Sequence, residues 1–360
     1  MDMNFRAFED RFLQIEVYPQ EKRCFLCGTD QNLSNEHLVP RWVQRRFNLF
    51  NKRFSLPNGL STEYGRHKVP ACIECNGTYL SQLENIIRTA VVAGFDACLA
   101  LDNKYIFLWM AKIALGNRFR QATMRSNPAD PLSAPLFSKA DLEATYAVRM
   151  MLQAVRGRAV IYRKPSPFSA FVVRIYDLPG APSFGYMDFG SGVSAIRLGP
   201  IGFVVASEDF GMADFQYGDW LEMAEHAPLH IEQFEELAAR VAYQARSIIN
   251  RPAYSFLSKH SDLRTVLIKL SAGQQVRSTW VMEECDAYVN AFLSTYGLYK
   301  PLGFDEHGKY ISSLFVNNQM AIFDADRKPI KFIDHRVPKK QIEFGIPEDP
   351  GLAEAIKLLD

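Results

Sequence analysis

The chain has 360 residues, of which 48% are hydrophobic and 22% charged, with a formal net charge of +1 at pH 7. This length and composition are typical of a folded protein of two or three domains, and they exclude a low-complexity or collagen-like chain. The N-terminal segment lacks the apolar core of a signal peptide, and the most apolar tracts, 89–101 and 105–116, are too short to cross a bilayer. We therefore expect a cytoplasmic protein that is not associated with a membrane.

The first third of the chain is predicted to contain a lead-in, a turn-rich segment and two helices. Apolar residues at helical spacing predict an amphipathic lead-in at 1–20, and the frequent Pro and Gly residues of 24–76 predict hairpins and loops. A helix is predicted to begin near Asn76 and to end near Leu101, and a second, apolar helix is predicted over 104–122. The turn-rich segment suits stabilisation by a metal ion rather than by a large apolar core.

The remainder of the chain mixes helices with short strands. Three further helices are predicted, over 138–156, 219–250 and 279–296. A hairpin is predicted around Asn317-Asn318. Short β-rich runs separated by Pro and Gly predict a small sheet built from 158–163, 169–176, 193–198 and 201–206.

Positive and negative residues are separated along the chain. Residues 41–68 contain seven Lys and Arg but only one acidic residue, Glu63, whereas 177–236 contain eleven Asp and Glu against a single Arg197. A basic tract can bind the phosphates of a nucleic acid, and an acidic tract can occupy the same basic surface in their place. Each tract could equally be an ordinary solvated face, so charge alone leaves both interpretations open.

Four of the six cysteines form two C-x-x-C pairs, Cys24 with Cys27 and Cys72 with Cys75. In a chain without an export signal, this pattern favours a metal site over disulfides. Four thiolates complete a tetrahedral Zn²⁺ site and leave no open coordination position, so the zinc would be structural. It would join the segment after Cys27 to the helix after Cys75. The alternative is four unrelated buried thiols.

Polar residues suited to phosphodiester hydrolysis follow these pairs. Glu36 and His37 come after the first pair, and Asn76 comes directly after the second. A carboxylate and an amide oxygen are hard ligands suited to Mg²⁺ or Mn²⁺, and an imidazole that stays off the metal can deprotonate a water molecule. A Glu-His pair alone would carry little weight, but its position between two cysteine pairs makes it informative.

Together these motifs resemble a known family. The order Cys-x-x-Cys, Glu-His-x-x-Pro-Arg-Trp and Cys-x-x-Cys-Asn-Gly-x-x-x-Ser-x-Leu-Glu, over residues 24–84, resembles the zinc-stapled branch of the HNH endonucleases, which have a ββα-metal (His-Me) finger. The resemblance implies a β-hairpin that carries the first motif and an α-helix that begins at Cys-Asn. It also implies that Glu36 is the first ligand of a catalytic divalent ion, His37 the general base and Asn76 the last ligand.

The sequence departs from the family pattern at the two metal-ligand positions. Glu36 stands where Asp or His is commoner, and many members have His at the position of Asn76. Glu84, eight residues after Asn76, has two interpretations. It supports the metal or orients Asn76, or it is a charge on the helix surface.

Basic residues after the first motif are predicted to bind nucleic acid. If Pro40 opens a helix, then Arg41, Arg45 and Arg46 lie on one helical face. Further Lys and Arg residues in the same tract could help them to neutralise several phosphates. The predicted nucleic-acid-binding residues are Arg41, Arg45, Arg46, Lys52, Arg53 and Lys68.

The predicted fold is α+β, with an N-terminal zinc-stapled ββα-metal finger followed by a helical segment and a mixed α+β C-terminal region. The predicted domains are an HNH nuclease domain with a structural zinc at 1–95, a helical linker or platform at 96–157, and an α+β domain at 158–360. The predicted function is metal-dependent cleavage of DNA, in the setting of bacterial defence. The alternative is a zinc-stapled nucleic-acid-binding protein without catalysis.

Further hypotheses concern partners. RNA is the alternative nucleic acid, and a homodimer is a hypothesis because many fingers of this type act in pairs. The acidic segment 177–236 motivates the hypothesis that the C-terminal region senses a signal or inhibits the nuclease by occupying its basic surface.

Overall fold

The computed structural model describes residues 23–161, 166–190, 192–224, 226–249, 253–260, 263–269, 278, 281–317 and 319–334. The predicted lead-in at 1–20 lies outside the described residues. The described chain combines helices with short strands, which confirms the predicted α+β class. Within these ranges, none of the helices has the length and apolar content that a membrane span requires.

The chain forms two compact units. The described residues of unit 1 lie within Met1–Thr89, Leu108–Ile161 and Tyr254–Leu267. Those of unit 2 lie within Ala90–Phe107, Tyr162–Ala253 and Ile268–Asp360. Both cysteine pairs, the Glu-His motif and the basic tract belong to unit 1, so this unit contains all of the predicted site residues.

The N-terminal part of unit 1 consists of short elements joined by turns, as its Pro and Gly content predicts. Strand β1 (Leu33–His37) pairs antiparallel with β4 (Lys68–Cys72). The connection between them holds helix α1 (Arg41–Arg46) and the antiparallel pair of β2 (Arg53–Ser55) and β3 (Ser61–Glu63). Pro40 is the N-cap of α1, which places the predicted arginines in a helix as expected.

Helices follow directly after β4. A wide, π-helical turn at Cys75–Leu80 leads into α2 (Ser81–Ala93), and α3 (Phe95–Leu99) follows after a break. The sequence predicts one continuous helix here, and this prediction is wrong at Gly94. Its φ of +114° lies outside the helical region and is one that glycine adopts easily.

The next helices agree with the prediction in position. Helix α4 (Asn103–Ala122) matches the predicted apolar helix, and most of its central residues are buried. The helix predicted over 138–156 is divided at Thr145 into α5 (Lys139–Ala144) and α6 (Tyr146–Leu152). Strand β5 (Ala159–Ile161) follows.

Unit 2 is built around an antiparallel sheet of four strands. These are β6 (Ser169–Arg174), β7 (Phe184–Asp188), β8 (Val193–Leu198) and β9 (Ile201–Ala206), and their order in the sheet is β6-β9-β8-β7. The sequence predicts three of them and misses β7, where Gly185 and Asp188 weaken the β signal. The prediction that 158–163 joins this sheet is wrong, because β5 belongs to a different sheet. Every residue of β8 and β9 is buried.

The acidic segment predicted as one helix over 219–250 forms two. Helix α7 (Asp219–Met223) and helix α8 (Ile231–Arg246) are separated by a stretch that contains Pro228, and Leu229 in this stretch bridges to Ile175. Proline lacks the amide donor that a continuous helix needs. Most of α8 is buried, and it packs against β8 and β9.

The C-terminal elements belong to both units. Strands β10 (Ala253–His260) and β11 (Leu263–Lys269) form a sheet with β5, in the order β10-β11-β5. Helix α9 (Met282–Tyr296) confirms the helix predicted over 279–296. The predicted hairpin is also confirmed: β12 (Phe315–Val316) pairs antiparallel with β13 (Gln319–Phe323), and β14 (Pro329–Asp334) extends the sheet.

A close approach of α4 to the residue after β1 gives a first prediction. A Cβ atom on Gly116 would lie 2.2 Å from Cδ2 of Leu38, and Leu38 is fully buried. We expect Gly116→Ala to lower the free energy of unfolding by about 1–3 kcal/mol through overpacking, as measured by urea denaturation. The matched control is Gly77→Ala, because its Cβ would meet no atom within 4 Å. Equal stability of Gly116→Ala and the wild type would contradict the packing argument.

Candidate metal centre and polar cavity

Unit 1 brings the two cysteine pairs together in one cluster. The sulfur atoms of Cys24, Cys27, Cys72 and Cys75 all lie within 4.8 Å of one another, and all four cysteines are free thiols. A tetrahedral Zn²⁺ ion with Zn–S bonds of about 2.3 Å needs sulfur atoms about 3.8 Å apart. Cys27 Sγ and Cys72 Sγ lie 3.8 Å apart. The cluster could therefore hold a metal ion and is compatible with a structural zinc.

Backbone hydrogen bonds explain why distant cysteines meet. The first pair lies in a tight turn, in which the Gly28 N–H donates to Cys24 O at 2.8 Å. The Phe25 N–H donates to Pro70 O at 3.0 Å and joins this turn to β4. Cys72 is the last residue of β4. The second cysteine pair therefore begins two residues after Pro70, to which the turn of the first pair is hydrogen-bonded.

Hydrogen bonds join the sulfur atoms of the cluster. Those with Cys27 and then Cys75 lower the pKa of Cys24. Hydrogen bonds with Cys24 and then Cys27 raise the pKa of Cys75. A bound metal ion would replace these hydrogen bonds and hold all four sulfur atoms as thiolates.

The predicted hydrolytic residues lie together beside this cluster. Glu36 and His37 are the last two residues of β1, and both side chains are largely buried. The Asn76 Nδ2 donates to Ser34 Oγ at 3.0 Å and to Asn35 O at 3.4 Å. Because these bonds use the amide nitrogen, the Asn76 Oδ1 is available as a ligand. The pairing of β1 with β4 thus brings residues 36, 37 and 76 together, although they are far apart in the sequence.

An open cavity of about 440 Å³ is formed at this place. It is mostly polar, with carboxylate, amide, imidazole and basic side chains on its walls. Its lining residues are Asn35, Glu36, His37, Arg41, Lys68, Asn76, Gly77, Ser81 and Glu84. All three predicted hydrolytic residues, the predicted support Glu84 and two of the predicted phosphate-binding residues therefore face one space.

A fully buried lysine contacts two carboxylates of this cavity. The Lys112 Nζ forms an ion pair with Glu36 Oε1, another with Glu84 Oε1 at 2.8 Å, and a hydrogen bond to His37 O at 3.3 Å. These three contacts account for all three donors of an ammonium group. Burial lowers the pKa of Lys112, but the attraction of Glu36 and Glu84 outweighs burial and raises this pKa above its ordinary value.

Lys112 was not among the predicted site residues. Its signal in the sequence is a single charge between Ala111 and Ile113 in an apolar helix. A lysine at a core position requires an anionic partner, but the sequence does not show which of many carboxylates that partner is.

His37 has the properties of a base. The residue is 8% exposed, and its Nε2 has no hydrogen-bond partner among the described residues. Burial, and then the cations Lys68 and Arg41, lower the pKa of His37 to about 4. The imidazole is therefore neutral at pH 7, and one of its two ring nitrogens carries a lone pair.

The donor set of the cavity fits a hard divalent cation. Carboxylate oxygens of Glu36 and Glu84 and the Asn76 amide oxygen are the ligand types that Mg²⁺ and Mn²⁺ prefer. Glu84 is mostly buried, with 20% of its side chain exposed, and is not a free surface charge. Burial raises the pKa of Glu84, and the Glu36 carboxylate adds to this effect while Lys112 opposes it.

The other predicted nucleic-acid-binding residues lie outside the cavity wall. Arg45, Arg46 and Lys52 are exposed. Arg53 is also exposed, but its guanidinium donates to Ser61 O and Ser61 Oγ, both at 2.8 Å, within the β2–β3 pair. Arg53 is thus partly engaged in unit 1, whereas Arg45 and Arg46 of α1 are exposed to solvent.

Comparisons of the chain with protein-family models, with curated proteins and with solved structures found no match.

Proposed function

We propose that unit 1 is a metal-dependent endonuclease of the HNH type that hydrolyses phosphodiester bonds in DNA. The observation that carries this proposal is the placement of Glu36, His37 and Asn76 around one open cavity, next to a four-cysteine cluster. Buried polar atoms in folded proteins are normally hydrogen-bonded. A buried imidazole nitrogen without a partner, at the wall of a cavity, supports a chemical role for His37 rather than a structural one.

The order of elements supports the HNH assignment. Strands β1 and β4 pair antiparallel, and a helix begins after β4. The Glu-His motif ends the first strand, and Asn76 lies in the first turn of the helix. The family resemblance implies this same order for a ββα-metal finger, in which a structural zinc on the four cysteines would hold the strand pair and the helix together.

Each residue around the cavity has its own role in hydrolysis. Glu36, Asn76 and the supporting Glu84 would hold Mg²⁺ or Mn²⁺, which when bound neutralises charge on the scissile phosphate and the leaving oxygen. His37 accepts through a ring nitrogen the proton of the attacking water. Arg41 and Lys68 bind the phosphate oxygens and fix the position of the strand.

The test is plasmid nicking in Mg²⁺ or Mn²⁺. We expect His37→Ala to slow cleavage by about 10²-fold or more, the usual contribution of a positioned general base. The matched control is His307→Ala, which removes a histidine with an 80% exposed side chain and should cleave at the wild-type rate. Equal cleavage by His37→Ala and the wild type, after purification free of contaminating nuclease, would reject the proposal.

The same assay distinguishes the alternative function. Salt-dependent binding of DNA without cleavage, unchanged in His37→Ala, would identify a zinc-stapled nucleic-acid-binding protein instead. RNA in place of DNA in the assay decides the nucleic acid. The homodimer, the inhibitory or sensing role of the C-terminal region, the cytoplasmic location and the role in bacterial defence stay predictions.

A further inference from the structure

Lys112 places a charged side chain in the core of unit 1. Its side chain is completely buried, on a helix whose neighbouring positions are apolar. Removing an ammonium group from water is costly, and a well-packed apolar residue at such a position is often as good or better for stability. Folding alone therefore gives no reason for a lysine at this position.

The partners of Lys112 point to its role. Glu36 and Glu84 come from different elements, β1 and α2, and each places one carboxylate oxygen on the same nitrogen atom. Both residues also line the open cavity. Two carboxylates side by side repel each other unless a cation lies between them, and the ammonium supplies that cation from the protein itself.

We propose that Lys112 is a positioning residue of the metal site: its ammonium bridges Glu36 and Glu84 and holds both carboxylates at the cavity before a divalent ion binds. This inference rests on the metal site of the proposed function. Because the bridge uses one oxygen of each carboxylate, the remaining oxygens can turn to the cavity. The site then binds one ion with both carboxylates already in place.

Formal charges set the effect expected from each substitution. Glu36 and Glu84 contribute −2 and Lys112 contributes +1, so this metal site carries −1. Arg41 and Lys68 also line the cavity and add +2 to its wall. These two cations are the same in every variant below, so only the charge of the metal site differs between variants.

The experiment measures Mn²⁺ binding by electron paramagnetic resonance on the zinc-loaded, full-length protein. We expect the wild type to bind one Mn²⁺ per chain. Lys112→Met changes the charge of the site from −1 to −2, and we expect about tenfold tighter Mn²⁺ binding, a size that fits one added charge near a hydrated divalent ion. Cleavage at saturating Mn²⁺ should nevertheless fall about tenfold or more, because the carboxylates are no longer fixed.

A charge-matched pair covers the case in which Lys112→Met does not fold. Glu84→Gln brings the site to 0 and should bind Mn²⁺ about tenfold more weakly than the wild type. Lys112→Met combined with Glu84→Gln restores −1 and should recover the lost affinity. Lys104→Met, at a half-exposed position of the same helix, is the control and should change neither binding nor cleavage.

The outcomes separate this inference from the proposed function. Mn²⁺ binding by Lys112→Met no tighter than by the wild type, or a double variant that binds Mn²⁺ no more tightly than Glu84→Gln, would overturn the role of Lys112. If the binding series behaves as expected but no nucleic acid is cleaved by the wild type, the positioning role stands and the nuclease proposal fails.

Discussion

Replacing Cys75 with alanine is expected to abolish metal binding at the four-cysteine cluster and to unfold the strand pair of β1 and β4. Cys75 is completely buried, and the cluster joins the turn at Cys24–Cys27 to the end of β4. Structural zinc in small peptides binds with an apparent free energy of about 10–16 kcal/mol at neutral pH. This equals or exceeds the whole stability of a typical domain, about 5–15 kcal/mol. Strands β1 and β4 are short and contain few apolar residues. Their own packing therefore contributes little stability once the zinc is lost.

Two measurements check this expectation. Atomic emission should find one zinc per chain in the wild type and none in Cys75→Ala, and hydrogen exchange should show loss of protection in β1 and β4. The control is Cys98→Ala, since Cys98 is also fully buried but lies outside the cluster. It should keep its zinc. A folded Cys75→Ala protein with a full complement of zinc would contradict the structural role of the cluster.

The parts of the site that the sequence predicts are those in which chemistry is local. A C-x-x-C pair brings two thiols to one turn whatever the rest of the fold does, and Asn76 follows the second pair directly. Because Glu36 and His37 are neighbours in the sequence, a single strand pairing suffices to bring them to Asn76. The structure places these residues together, with the strand register that this requires.

What the sequence does not predict depends on tertiary contacts. Lys112 lies 76 positions after Glu36 in the chain, and only the packing of α4 against β1 makes them partners. The same packing largely buries Glu84 and pairs its carboxylate with Lys112, so Glu84 is not a free charge on the helix surface. A charge on a helix surface and a buried ion-pair partner have the same sequence pattern. They differ only in whether another element of the fold packs over them.

The breaks in the helices have a different cause. Apolar periodicity continues through Gly94 and across Thr145, so the pattern predicts continuous helices there. Backbone geometry interrupts them, at Gly94 through a positive φ. Periodicity reports which face of a segment is buried, and it does not report whether the backbone turns between two buried stretches.

Helix α8 shows how far burial can depart from a sequence pattern. Glu236 and Arg240 stand at the i, i+4 spacing that usually marks an exposed helical pair. In unit 2 both are buried, with side chains 1% and 5% exposed, and Arg240 Nε donates to Glu236 Oε1 at 2.8 Å. The acidic segment 177–236 is therefore not wholly a solvated or inhibitory surface, because Glu236 is buried in unit 2 and pairs with Arg240 there.

Glu236→Ala is expected to lower the stability of unit 2 by about 3–5 kcal/mol, the usual cost of removing one partner from a buried ion pair. The Glu236 carboxylate accepts hydrogen bonds from Ser312 Oγ at 2.6 Å and from the Ser313 N–H and Oγ, both at 2.7 Å. Without the Glu236 carboxylate, the donors of Ser312 and Ser313 lose this acceptor inside the core, and so does the Arg240 Nε. Arg240 keeps its bond to Asp286, so the loss should not exceed this range.

Urea denaturation measures the effect, and hydrogen exchange locates it. The Ser313 amide donates directly to Glu236, so its protection should fall further than that of amides in β8. Glu306→Ala is the matched control, because the Glu306 side chain is 87% exposed and pairs with His307 on the surface. It should unfold at the wild-type urea concentration. A Glu236→Ala protein as stable as this control would show that α8 is held by its apolar contacts alone, and that the buried carboxylate contributes nothing to the stability of unit 2.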